Sequence, residues 1–371
     1  MAVENWISER IHELVEFRHD LHRNPELLYD LPRTAAQVAA ALRAAGADEV
    51  HEGIGQTGVV AVIRGATNAS GRTIGLRSDM DALPILEATG KAWASQTPGK
   101  MHACGHDGHA AMLLGAAIGL AESRNFDGTV VLIFQPAEEG GAGARAMIED
   151  GLFRRFPVDE VYGMHNRPGM AVGEFTIAPG PIMGSIDMFE IEIEGVGGHA
   201  AMPDRTTDPM PVVAALIQAA QTIAARNVDP LEAAVITVGS IVAGEAANVI
   251  PDSAEMKISV RSLSRDTRQL LLTRIPALAQ AQAASFGATA EVTHVNGTPV
   301  LVNDEEMARF ARQGLRMVAA ACKPASLDAT TLNHEDLQEG LIFLGIAGMM
   351  DPPRPEAIDA IHACQIGRAH V

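Results

Sequence analysis

Apolar residues recur along this chain at two different spacings, and the change of spacing divides it. Between residues 4 and 23, Ile7, Ile11, Leu14, Val15 and Leu21 repeat at the interval of an amphipathic helix, and a second helix from about Thr34 ends near Gly46. Short unbroken apolar runs follow: TGVVAVI (57–63), TIGLR (73–77), TVVLIF (129–134) and DEVYGM (159–164). They alternate with the helical stretches HAAMLLGAAIGLAES (109–123) and GARAMIEDGL (143–152). A strand that is apolar throughout is buried on both faces. The pattern therefore predicts an α/β domain whose mainly parallel sheet is sandwiched by helices.

From residue 184 the period becomes two. FEIEIEG (189–195) alternates apolar and charged residues, as a strand with one face in water does. A helix over 209–226 with Asp208 as N-cap follows, then strands over 233–243 and 254–262, a helix over 266–286 and a strand over 288–295. That order is β-α-β-β-α-β, a ferredoxin-like α+β unit. A helix over 304–321 and the apolar run LIFLGIAG (341–348) then resemble the first domain again. The expected organisation is one discontinuous domain, 1–183 with 296–371, carrying an insert at 184–295. A length of 371 residues, more than one core usually serves, agrees with two domains.

Composition narrows the partners. Hydrophobic residues at 47 % against 20 % charged describe a globular chain, and a net charge of −18 repels phosphate backbones and anionic membrane surfaces. Neither nucleic acid nor membrane is an expected partner, and no run approaches the roughly 20 apolar residues of a bilayer span. MAVENWISER lacks a basic region followed by an apolar run, so a cytoplasmic location is expected. Only Cys104, Cys322 and Cys364 are present, an odd set that suits a reducing compartment better than a disulfide framework.

Chemistry concentrates in MHACGHDGH (101–109), which holds one cysteine, three histidines and one aspartate. Three further polar groups each follow a predicted strand: Asp79 and Asp81, Glu138 and Glu139, and His165. Open α/β sheets place their sites at the carboxyl ends of parallel strands, so four distant segments can converge on one crevice. Cys, His and Glu together suit zinc, manganese or cobalt more than calcium. Paired glutamates fit such a site, one holding metal while its neighbour takes a proton from the activated water. The alternative is a nucleophilic Cys104 activated at a helix N-terminus beside His106, but that mechanism leaves Glu138, Glu139 and His165 without a role.

Six ordered stretches carry a resemblance: RSDMDALP (77–84), MHACGHDGHAAMLLGAA (101–117), FQPAEEGGAGA (134–144), GMHN (163–166), GGHAAMP (197–203) and NVIPDSAEMKISVRS (248–262). Together they resemble the metallo-aminoacylase and carboxypeptidase family, in the amidohydrolase branch that includes hippurate hydrolase and the plant auxin-conjugate hydrolases. The resemblance implies a dimetal aminopeptidase-like catalytic domain with two divalent ions, manganese or zinc, and a ferredoxin-like insert that forms homodimers or a lid. It implies Cys104, His106, Glu139, His165 and His362 as metal ligands, Cys104 bridging, and Glu138 as the general base. Asp79 would orient a ligating histidine, and His109 would be support or packing. His199 would stabilise the oxyanion, in dimers from the partner subunit, while Asn248 and Arg261 would bind the carboxylate of an N-acyl amino acid.

Beyond about residue 325 the pattern departs from the family. NHEDLQEG (333–340) keeps only Glu335 and Asp336 of the expected Gly-Ser/Ala-Glu-Asp-Phe, and IHAC stands where Leu-His-Asn-Pro is expected. The sequence given stops nine residues after His362, leaving no room for the closing elements. Two functions follow: an active hydrolase of hippurate-like N-acyl amino acids, or a metal-deficient, non-catalytic homologue that binds ligands or partners.

Overall fold

The computed structural model describes residues 3–170, 175–312, 316–322 and 342–349. The chain forms two compact units, residues 1–176 with 311–371 and residues 177–310. In the first, helices α1 (Val3–Arg23) and α2 (Pro32–Ala44) precede strands β1 (Glu49–Ile54), β2 (Gly58–Arg64) and β3 (Thr73–Asp79). Then come α3 (His106–Ser123), β4 (Thr129–Gln135), α4 (Gly143–Glu149), α5 (Leu152–Arg155) and β5 (Glu160–Gly163). The strands form one sheet in the order β1-β2-β4-β3-β5. It is mixed: β4, β3 and β5 run parallel, whereas β2 is antiparallel to both β1 and β4.

Both faces of this sheet are covered, which is why β2 and β4 read as unbroken apolar runs. Val59, Ala61, Ile63, Val130, Leu132 and Phe134 face the helical layer of α1, α2 and α3, packing with Leu14, Val38, Leu42 and Leu113. Their alternates Val60, Val62, Val131 and Ile133 face the other way, onto Met147, Leu152 and Phe156. With a side-chain period of two, consecutive residues enter two different cores. Strand β1 was absent from the expectation because EVHEGI is mostly polar; as an edge strand it has only Ile54 buried.

The second unit holds β6 (Gly180–Met183), β7 (Ser185–Glu194), β8 (Gly198–His199), α6 (Pro209–Arg226), β9 (Ala234–Ala243) and β10 (Val249–Ile250). After these come β11 (Ser253–Ser262), α7 (Arg265–Ser285), β12 (Thr289–Thr298), β13 (Leu301–Asn303) and the part of α8 (Glu305–Arg312) up to residue 310. Its main sheet is antiparallel, in the order β12-β7-β11-β9, as a ferredoxin-like unit requires. One face, with Phe189, Ile191, Ile193, Met256 and Ile258, packs on Val212, Leu216, Leu271 and Ile275 of α6 and α7. The opposite face carries charge, including Glu190 and Lys257 paired at 2.9 Å.

The helix expected over 304–321 is only half realised. It ends at Arg312, and β14 (Arg316–Cys322) pairs antiparallel with β15 (Ile342–Met349). The alanine-rich stretch has good local helix propensity, but pairing with an apolar strand distant in sequence overrides it. Among the described residues, no helix is long and apolar enough to cross a membrane.

Candidate metal centre

The parallel strands end level with one another: Asp79 of β3 stands opposite Gln135 of β4, and Arg77 opposite Gly163 of β5. The loops leaving these ends and the start of α3 therefore meet at one place. At 105 the backbone has φ +91°, and a Cβ there would lie 2.7 Å from Asn166 Oδ1, so only glycine lets the two loops approach. The turn carrying Glu138 and Glu139 is closed by Gly143 N–H donating to Ala137 O at 3.0 Å. A Cβ at 143 would sit 1.7 Å from Pro136 O.

Asp81 ties these loops together. Its carboxylate accepts the backbone N–H of Glu138 at 2.9 Å and of Glu139 at 3.1 Å. Its carbonyl lies 2.8 Å from His106 Nδ1 and accepts the proton there. That bond fixes the tautomer and turns the Nε2 lone pair toward the carboxylates. The sequence reading grouped Asp81 with Asp79 but assigned it no task; the Asp-x-Asp spacing after a strand was the available signal.

His106 Nε2 is fully buried and has no hydrogen-bond partner among the described residues, as is true of Glu139 Oε1. Around Nε2 stand Asp79 Oδ2 at 3.7 Å, Glu139 Oε1 at 3.8 Å and Glu138 Oε2 at 3.9 Å. Cys104 Sγ lies 3.4 Å from His165 Nε2. Three overlapping sets share His106, each with ligand atoms within 4.8 Å: Cys104 with His165, Glu138 with Glu139, and Asp79 with His109. Ligands about 2.0–2.3 Å from one ion stand apart by such distances. Orphaned lone pairs facing carboxylates, with thiol, imidazole and carboxylate donors combined, fit divalent cations.

The electrostatics point the same way. Burial, together with Glu139, Glu138 and Asp79, pushes the Cys104 thiol up to about 12. For His106 burial opposes the charge, but the hydrogen bond to Asp81 and the nearby Asp79, Asp81 and Glu138 outweigh it and raise the ring to about 8. Burial also raises Glu139, aided by Glu138 and Asp81 and opposed by His106. Cys104 and Glu139 keep their protons because burial, and after it the neighbouring carboxylates, disfavour a further negative charge, and His106 keeps its proton because those carboxylates outweigh its burial; a bound cation reverses that preference. A thiol so hard to ionise is the opposite of an activated nucleophile, which removes support from the cysteine alternative. Asp79 behaves differently: burial opposes its charge, yet the bond from His109 and the positive charge of Arg77, with His106 nearby, hold it well below the usual carboxylate range.

Of the expected site residues, Asp79, Cys104, His106, Glu138, Glu139 and His165 come together in the first unit. Asp79 bonds to His109 at 2.6 Å rather than to His106. In the second unit His199 pairs with Val249 across the β8–β10 ribbon, and Asn248 O accepts from Ala200 N–H at 3.1 Å, so His199 and Asn248 are neighbours. Arg261 lies on the open face of β11, opposite Ile186 and Val235. His362, with Glu335 and Asp336, lies outside the described residues.

A family model for peptidase family M20/M25/M40 matches residues 75–368. A hippurate hydrolase from Campylobacter jejuni is 44 % identical over 301 residues, 81 % of this chain and 78 % of that protein. An N-acetyl-L-cysteine deacetylase from Bacillus subtilis is 42 % identical over 350 residues, covering 92 % and 82 %. Among solved structures, a dinuclear metal-binding peptidase of the M20 family from Bacillus subtilis superposes with TM-score 0.69 at 36 % identity, over 81 % of this chain and 78 % of that one. The convergence of cysteine, histidine and glutamate donors at the strand ends is thus shared ancestry as well as chemistry: the chain belongs to peptidase family M20 and is a metal-dependent amidohydrolase.

Proposed function

We propose that this chain hydrolyses the amide bond of N-acyl amino acids, hippurate among them, in the cytoplasm. The observation that carries the reading is the unequal placement of the two glutamates around the unpartnered His106 Nε2. Glu139 is 19 % exposed with a buried, unpartnered oxygen, as suits a ligand, whereas Glu138 is 37 % exposed and open to substrate and water. Cys104, His106, Glu139, His165 and His362 would hold two divalent ions, manganese or zinc. Bound there, the ions supply Lewis acidity toward the scissile carbonyl and acidify a water.

The chain's own groups do the rest. Glu138 takes a proton from the attacking water and delivers it to the leaving amine nitrogen, which departs as the free amino acid. Asp79, through histidine, and Asp81, through the Glu138–Glu139 turn, keep these groups oriented. Arg261 grips the substrate carboxylate through paired N–H donors, with Asn248 beside it. His199 donates to the oxyanion that develops on the carbonyl. A homodimer formed through the inserted unit would let that histidine come from the second copy. The relatives support the substrate class, since hippurate hydrolase and N-acetyl-L-cysteine deacetylase are both named for acyl groups on an amino-acid nitrogen.

The test is incubation with hippurate and a panel of N-acetyl amino acids, with manganese or zinc supplied, following release of the free amine. Hydrolysis that disappears on chelation supports the proposal. No hydrolysis of any substrate would leave the non-catalytic, metal-deficient homologue as the better account.

A further inference from the structure

His109 lies one turn beyond His106 on α3, is 2 % exposed, and is absent from the ligand set above. Both of its ring nitrogens are engaged. Nδ1 lies 2.6 Å from Asp79 Oδ1, and Asp79 is held on its other side by Arg77 Nη1 at 2.8 Å. Nε2 receives the backbone N–H of Asn166 at 3.0 Å, and Asn166 Oδ1 is placed 2.5 Å from it; one lone pair cannot face both a donor and an oxygen, so the Asn166 amide is read with its NH2 toward Nε2. A backbone N–H donates only to a lone pair, so the proton sits on Nδ1, where it donates to Asp79.

Asn166 directly follows His165. Residues 164–167 lie in neither helix nor strand, so no ladder fixes their position. The His165 ring meets the His109 ring edge-on, with centroids 4.6 Å apart. His165 Nε2 also stands 3.4 Å from Cys104 Sγ.

We propose that His109 is a positioning residue: Arg77, Asp79 and His109 form a strut that braces the backbone at Asn166 and so sets where His165 stands relative to Cys104. The inference rests on reading His165 as a ligand. Its rival is that His109 is itself a ligand through Nε2, as its proximity to Asp79 and His106 allows. Ligation through Nε2 would take the lone pair from the Asn166 N–H and leave that donor without its acceptor.

The deciding experiment records histidine nitrogen resonances in the metal-free protein and again after addition of zinc. The strut requires His109 protonated at Nδ1 in both spectra, with zinc moving the resonances of His106 and His165 instead. A proton on Nε2, or an Nε2 resonance that moves with zinc as a ligand's does, overturns it. As a second arm, His109→Phe keeps the ring and loses both bonds, while His109→Gln can restore one. Loss of such orienting partners weakens metal affinity about 10- to 100-fold. Zinc titration should show that loss for one ion of the pair in His109→Phe and partial recovery in His109→Gln; unchanged affinity in both overturns the strut. If His109→Phe does not fold, the wild-type spectra decide alone. A wild type that takes up no zinc refutes the proposed function, whereas an Nδ1-protonated His109 in the metal-free spectrum still supports the strut.

Discussion

Replacing Asp81 by alanine removes the acceptor of two backbone N–H groups, those of Glu138 and Glu139, at 2.9 and 3.1 Å. Hydrogen bonds to a charged acceptor contribute roughly 1.5–3 kcal/mol each, so the pair contributes roughly 3–6 kcal/mol if both donors stay buried. Glu138 stands on the solvent side, 37 % exposed, and water can replace part of its bond. The expected cost is therefore near the lower end, about 3 kcal/mol, and about half of that for Asp81→Asn, which keeps one accepting oxygen. The assay is denaturant unfolding of the metal-free protein, which removes ligand stabilisation from the comparison. The same substitution frees the turn that aims both glutamates, and misplacement by about 1 Å is enough to lower turnover about 100-fold. An Asp81→Ala protein with an unchanged unfolding midpoint and full amidase activity would refute the account of Asp81 as the tie between the loops.

Five further outcomes follow from the structure. Glu138→Ala should abolish turnover with metal content intact while Glu139→Gln should lose metal, and loss of metal from Glu138→Ala would exchange the two roles. Metal uptake should release protons from Cys104, raised to about 12, and His106, raised to about 8, so affinity falls with falling pH throughout the neutral range and more steeply below about 8; calorimetry in buffers of different ionisation enthalpy measures the release. Because the folded His106 value is raised, its contribution to metal-free stability is complete below its unfolded value of about 6.5 and is lost as pH rises through about 8, which unfolding across that window tests. Phe134→Ala, at a position with no exposed surface between β4 and the helices, should cost about 3–5 kcal/mol in denaturant unfolding, and Arg261→Lys should raise KM more than it lowers kcat because a single ammonium cannot grip a carboxylate at two points.

How much of this was legible in the sequence varied with the physics behind each element. Strands β2 and β4 were readable because burial on both faces leaves an unbroken apolar run, and β7 because its charged alternates mark one wet face. Strand β1 was not, since a mostly polar edge strand has no periodic signature. Residues 316–322 read as a continuing helix because alanine suits one, and the pairing that makes them a strand comes from a segment twenty residues further on.

The density of ligating side chains in MHACGHDGH, with the Glu138–Glu139 pair and His165, already determined that this chain carries metal-site chemistry and which family it resembles. Residue types and spacings suffice for that, because donor chemistry is a property of the side chain. Which nitrogen is free to bind was decided only in three dimensions. His106 and His109 share one helix face, yet the carbonyl of Asp81 leaves His106 Nε2 bare while Asp79 and Asn166 occupy both nitrogens of His109. Likewise the two adjacent glutamates differ only through burial, and Asp81 acquires its role only because the ends of β3 and β4 lie side by side. A hydrogen-bond partner is chosen by proximity, and proximity between residues 25 to 58 positions apart is a product of the packed sheet.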